Sequence, residues 1–176
     1  MRLPPLLPSE TLARVLRVAK FDGTTVFVLS GIFAVMAASA GEMRFAVLGL
    51  LAAGAGAIEL HGAGLLGHGD RRGINWLIAS QPVLLAIIYI YCILRLSHFQ
   101  LPPIPEKQQV EFAQAASQLG MSTEELLRIT YRFTIQTVAV IATLFQGWML
   151  IYYIRRRHAV AQAADEMPVP VPVEED

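Results

Sequence analysis

Residues 43–66, MRFAVLGLLAAGAGAIELHGAGLL, decide the fold. They form an apolar run long enough to cross a bilayer, for which about 20 residues suffice. Nearly half of them are Gly or Ala, and two ionisable residues, Glu59 and His61, lie well inside the ends. At that depth an uncompensated charge costs at least ~2.5 kcal/mol. The run therefore predicts a membrane span whose carboxyl group faces protein or water, not lipid.

Three further apolar runs accompany it, over residues 24–40, 76–96 and 128–154. The pattern predicts an all-α integral membrane protein, a four-span (tetraspan) bundle over residues 24–154. The whole composition agrees. Of 176 residues, 55% are hydrophobic, above the roughly 45–50% of soluble domains. Only 16% are charged and the formal net charge is zero, so no basic face points to nucleic acid. Cys92 is the single cysteine, which excludes an internal disulfide and CxxC metal or redox motifs. It lies mid-span and reads as a small buried hydrophobe.

The flanks read as follows. Three prolines punctuate residues 1–8, and Ser9 is a good N-cap for ETLARVLRVAKF. Leu12, Val15, Leu16 and Ala19 share one face of that segment, with Arg14, Arg17 and Lys20 beside it. This predicts a short amphipathic helix on the membrane surface within an N-terminal segment, residues 1–23. Ala38-Ser39-Ala40 fits a signal-peptide cleavage pattern, although the long leader suits an uncleaved anchor better. Ser30, Ala34 and Ala38 form a small-residue ridge for helix packing.

A Gly41-Glu42 turn separates the first two spans, and the glycines of GHGDRRGIN end the second. LPPIP stops the third span, and EKQQVEFAQAASQLG predicts an amphipathic helix in the third loop. Ser122 and Glu125 make a capping box for the helix that runs into span four. Arg155-Arg156-Arg157-His158 ends that span at the surface. Residues 155–176 close the chain with an acidic Pro/Val tail, predicted to be disordered.

Four spans place both termini on one side. That side carries Arg2, Arg14, Arg17, Lys20, Arg71, Arg72, Arg155, Arg156 and Arg157, nine of the fourteen basic residues. The positive-inside rule then predicts cytoplasmic termini and a bacterial inner (plasma) membrane. Trp76, Trp148, Tyr152 and Tyr153 fall near that boundary, as an aromatic belt would.

Depth alignment, at about 1.5 Å per residue, predicts an intramembrane polar layer. Glu59 lies roughly 10 Å from the end of its span, with Gln81, Gln146 and Ser30 near the same level. On span four, Arg132, Gln136, Thr143 and Gln146 lie along one stripe, opposite Val138, Ile141, Phe145 and Trp148. On span two, Glu59 shares a face with Ala55, Gly56, Gly62 and Ala63, whereas His61 points elsewhere. The candidate ion or proton site is therefore Glu59, Gln81, Thr143, Gln146 and Ser30, with His61, Arg132 and Gln136 secondary. The competing reading makes the same layer hydrogen-bonded glue.

No other chemistry is legible. His61 and His68 are one heptad apart, about 10 Å, too far for one metal ion. A haem between helices would need two copies of His61 across a two-fold axis. The glycines of span two lack the strand a dinucleotide fingerprint requires, and no HExxH or P-loop occurs. No metal or cofactor is expected, and no catalytic residue. Two functions follow: a structural or accessory subunit that assembles through small-residue helix faces, or an oligomeric ion or proton channel or transporter centred on Glu59. A membrane-embedded enzyme acting on a lipid or quinone is a third. The expected partners are the bilayer and either further copies of the chain or a larger membrane complex.

Overall fold

The computed structural model describes residues 7–97 and 106–166, except for the side chains of residues 106–108. The described residues form five helices, with no strand among them: α1 (Pro8–Ser39), α2 (Met43–Gly67), α3 (Gly73–Ser97), α4 (Glu106–Leu119) and α5 (Thr123–Asp165). Four of these, α1, α2, α3 and α5, are long and apolar enough to cross a membrane. The fold is all-α and consistent with a four-helix bundle. The LPPIP stop, His98 and the tail from residue 167 onward lie outside the described residues.

Two helix boundaries differ from expectation, for one reason. The anticipated surface helix and first span are a single helix of 32 residues, about 48 Å long. Pro8 occupies its first turn and Leu7, not Ser9, is its N-cap residue, as proline's fixed φ favours. Residues 155–165, expected to begin a disordered tail, continue α5 to Asp165. Both extensions are longer than the roughly 30 Å of hydrocarbon needs. They persist because they bury each other's apolar faces: Leu12, Val15 and Ala19 of α1 share one core with Val160 and Ala163 of α5. The apolar face of this part of α1 is thus spent on a protein contact, while Arg14, Arg17 and Lys20 stay exposed. That contact also brings the start of α1 and the end of α5 together within one unit.

The chain divides into two compact units, Met1–Ile87 with Phe145–Asp176, and Ile88–Leu144. In the first, α1 and α2 form an antiparallel pair around a tight turn. Gly41, at φ 77°, ends α1; the Glu42 amide donates to the Ala37 carbonyl and the Gly41 amide to that of Ala38. This is the Schellman arrangement, which uses a left-handed residue to satisfy the last carbonyls of a helix. Gly69 ends α2 and Gly120 ends α4 in the same way.

The Gly and Ala content of α2 has a geometric cause. Gly49 faces Ala34, and Gly56 faces Phe27 and Gly23; a Cβ on Gly56 would stand 2.7 Å from the Phe27 backbone nitrogen. Gly62 lies against Trp76 and against the backbone of Gly73. α2 is therefore approached closely on two sides, by α1 and by the start of α3. Only glycine permits such backbone proximity, and dispersion over that area holds membrane helices together. The ridge of α1 that meets α2 uses Ala34 and Ala37, both buried, whereas Ala38, assigned to that ridge by spacing, is exposed.

The second unit joins the remainder of α3, α4 and the first half of α5. Tyr89 and Thr143 share a hydrogen bond of 2.8 Å between their hydroxyls. Cys92 is buried, and its thiol contacts the Ile135 carbonyl at 3.9 Å, a weak S–H···O interaction. The N-cap half of the capping box forms at the start of α5, where the Glu125 amide donates to Ser122 Oγ at 3.2 Å.

Candidate intramembrane polar site

Glu59 sits at the centre of the first unit, 1% exposed. Its position follows from α2: a turn on either side, Ala55, Gly56, Gly62 and Ala63 are buried on the same helix. These small residues bring neighbouring helices near enough for longer polar side chains to reach the carboxyl. The Tyr153 hydroxyl of α5 donates to Glu59 Oε1 at 2.7 Å. Asp22 of α1 and Gln81 of α3 both stand within interaction range of the same carboxyl. Each helix of the unit thus supplies one polar side chain to a single buried point.

Around that point the hydrogen bonding is incomplete. Gln81 Nε2 donates to Ser80 Oγ at 3.2 Å, and Ser80 in turn donates to the Leu77 carbonyl at 2.9 Å. Gln81 Oε1 and Asp22 Oδ2 are buried and accept no hydrogen bond. Both orphan atoms are oxygens, so the cluster has spare acceptors. A buried acceptor left unmade costs roughly 1–3 kcal/mol.

Not every residue expected in the layer reaches it. Glu59 and Gln81 do. Gln146 is buried with an unpaired Oε1, but it lies seven residues before Tyr153, about 10 Å along α5. Ser30 is only half-buried on α1. Thr143 belongs to the second unit, where it pairs with Tyr89 and donates to the Ala139 carbonyl. Arg132 and Gln136, also in that unit, are exposed, so the polar stripe of α5 is not buried along its whole length. The opposite stripe, Val138, Ile141, Phe145 and Trp148, is exposed as expected of a lipid face. His61 is exposed as well, on the face it shares with Gly54 and His68, and meets the Trp76 ring edge-on with centroids 5.6 Å apart.

Two members of the cluster escaped the sequence reading. Tyr153 was assigned to an interfacial belt, yet it is 0% exposed. Its signal was its place one heptad beyond Gln146 on the same stripe. Asp22 was left in the segment ahead of the first span. Its signal was the spacing Leu12, Val15, Ala19, Asp22, which continues one helical face. Asp22 lies ahead of the apolar run of residues 24–40, whereas Tyr153 lies inside that of 128–154 at a depth that suits an interfacial ring equally well.

Among the described residues no group of three or more His, Cys, Asp or Glu is arranged to hold a metal ion. The fold and the cluster define an all-α protein with four helices able to cross a membrane and a buried carboxyl pair. Comparison with protein-family models, with curated proteins and with solved structures finds no match to this chain.

Proposed function

We propose that this protein is a small channel or carrier of the plasma membrane that takes up a proton or a monovalent cation at the Asp22–Glu59 pair. The observation that carries the reading is the meeting of two carboxyl groups from different helices in a buried site, where Asp22 Oδ2 of the pair and the neighbouring Gln81 Oε1 are unpaired. Two carboxyl groups facing each other away from water repel unless a positive charge lies between them. Ionisable groups at that depth are characteristic of ion pathways and proton relays. The excess of Arg and Lys at the end carrying the termini supports a cytoplasmic location for both. A bundle of this size would work as an oligomer.

The test is proton and cation flux into liposomes carrying equal amounts of wild type, Glu59→Gln and Asp22→Asn. Wild-type flux that falls to the protein-free level in both variants supports the reading. Absence of wild-type flux across pH and voltage ends it.

A second reading, an accessory subunit that assembles through small-residue faces, is favoured by one observation. An added Cβ on Gly54 meets nothing, and the adjacent surface of α2 also carries exposed His61. Gly54→Leu would then lower the oligomeric mass in detergent in a protein whose liposomes show no flux, whereas the first reading requires flux in wild type.

A further inference from the structure

A second cluster lies where α5 passes from its apolar part to its charged part, and the function above does not use it. Arg156 follows Tyr152 by one helical turn, so the two side chains are neighbours. The Arg156 guanidinium carbon stands 3.9 Å from the centroid of the Tyr152 ring, a cation–π stack. Arg156 Nη1 and the Tyr152 hydroxyl are both buried and both lack a hydrogen-bond partner. The residues as a whole are only half-buried, so the stack has an open edge.

The two orphans are both donors, one of them on a group that cannot lose its charge. Among the described residues no carboxylate hydrogen-bonds to them. Asp165 pairs with Arg71 at 3.9 Å, and Asp22 and Glu59 face each other. The two donors therefore lack an acceptor among the described residues, and an external oxyanion can supply it. A phosphate fits: the guanidinium fork matches its oxygens, and the tyrosine hydroxyl adds a second donor.

The surroundings select the source. Trp148 packs against Tyr152 with centroids 5.8 Å apart and is 59% exposed, with Ile151 exposed beside it. These give a wet-to-apolar boundary along which acyl chains can lie. Arg155 and Arg157 flank the stack and are exposed. Exposed Arg14, Arg17 and Lys20 of α1 stand at the same end of the unit, because Leu12, Val15 and Ala19 pack with Val160 and Ala163. Basic side chains at a membrane surface draw anionic lipids. We propose that Tyr152 and Arg156 form a binding site for the phosphate of an anionic phospholipid headgroup at the membrane boundary nearest the chain ends.

The experiment uses the full chain in detergent, titrated with phosphatidylglycerol, with phosphatidylcholine or with inorganic phosphate. Bound lipid is read by native mass spectrometry and stability by thermal unfolding. Phosphatidylglycerol should bind roughly tenfold more tightly than phosphatidylcholine, by summed charge and fork geometry. Arg156→Gln should abolish that preference, and Tyr152→Phe should weaken it by several-fold while keeping the stack. Arg156→Lys, which keeps the charge, guards against misfolding and should retain part of the preference. An unchanged preference in both Arg156→Gln and Tyr152→Phe overturns the proposal. Inorganic phosphate that protects wild type but not Arg156→Gln, with no preference between the lipids, overturns the lipid source.

Discussion

The Tyr153 hydroxyl donates to Glu59 Oε1 at 2.7 Å and joins α5 to α2 across 94 positions of chain. Both residues are buried, so the bond forms in a medium where neither group has water as an alternative. It fixes the last helix of the chain against the helix that carries the acid. It also explains why a tyrosine next to a run of arginines faces inward.

Tyr153→Phe removes this donor and leaves the ring. A buried acceptor then loses its partner, and stability should fall by about 1 kcal/mol, the central value for such bonds in proteins, somewhat above the membrane average. Reversible unfolding in mixed micelles measures it. No loss would mean that Glu59 finds a replacement donor.

Glycine substitutions on α2 should separate by face. Gly56→Ala places a methyl 2.7 Å from the Phe27 backbone nitrogen and should destabilise the α1–α2 pair by about 1–3 kcal/mol, as overpacking does. Gly54→Ala enters open space and should be neutral, or stabilising by up to about 1 kcal/mol through helix propensity. Thermal unfolding of the two variants side by side decides the matter.

Val160 tests the packed extension of α5. It is fully buried against α1, so Val160→Ala should cost about 2 kcal/mol through lost burial and a small cavity. A disordered tail would show no change. Amide exchange over residues 155–165 should also be slow in wild type and accelerate in the variant.

Ser122→Ala removes the cap of α5, an Oγ that accepts from the Glu125 amide at 3.2 Å. The expected effect is about 1 kcal/mol, confined to the first turn. Faster exchange of the Glu125 amide with an unchanged core reports it.

Much of this was legible in the chain itself. Apolar run length identified all four spans, because hydrocarbon thickness sets a minimum helix length. The Gly41 and Gly120 stops and the Ser122 cap were readable because each rests on local backbone geometry. Glu59 and Gln81 were found because a polar residue inside an apolar run has to be accommodated. Ser30 and Thr143 were grouped with them by depth alone, and depth does not specify which helices touch.

By itself, then, the sequence determined the four long apolar helices, the turns at Gly41 and Gly69, the inward face of α2 and the presence of an acid within it. All of these follow from side-chain periodicity and local sterics. Only the tertiary structure decided what meets that acid. Asp22 and Tyr153 reach Glu59 because α1 and α5 run on beyond their apolar cores and pack together through Val15, Ala19 and Val160. Such an extension is stabilised by burial between segments far apart in the chain, and no local pattern in either segment reports it.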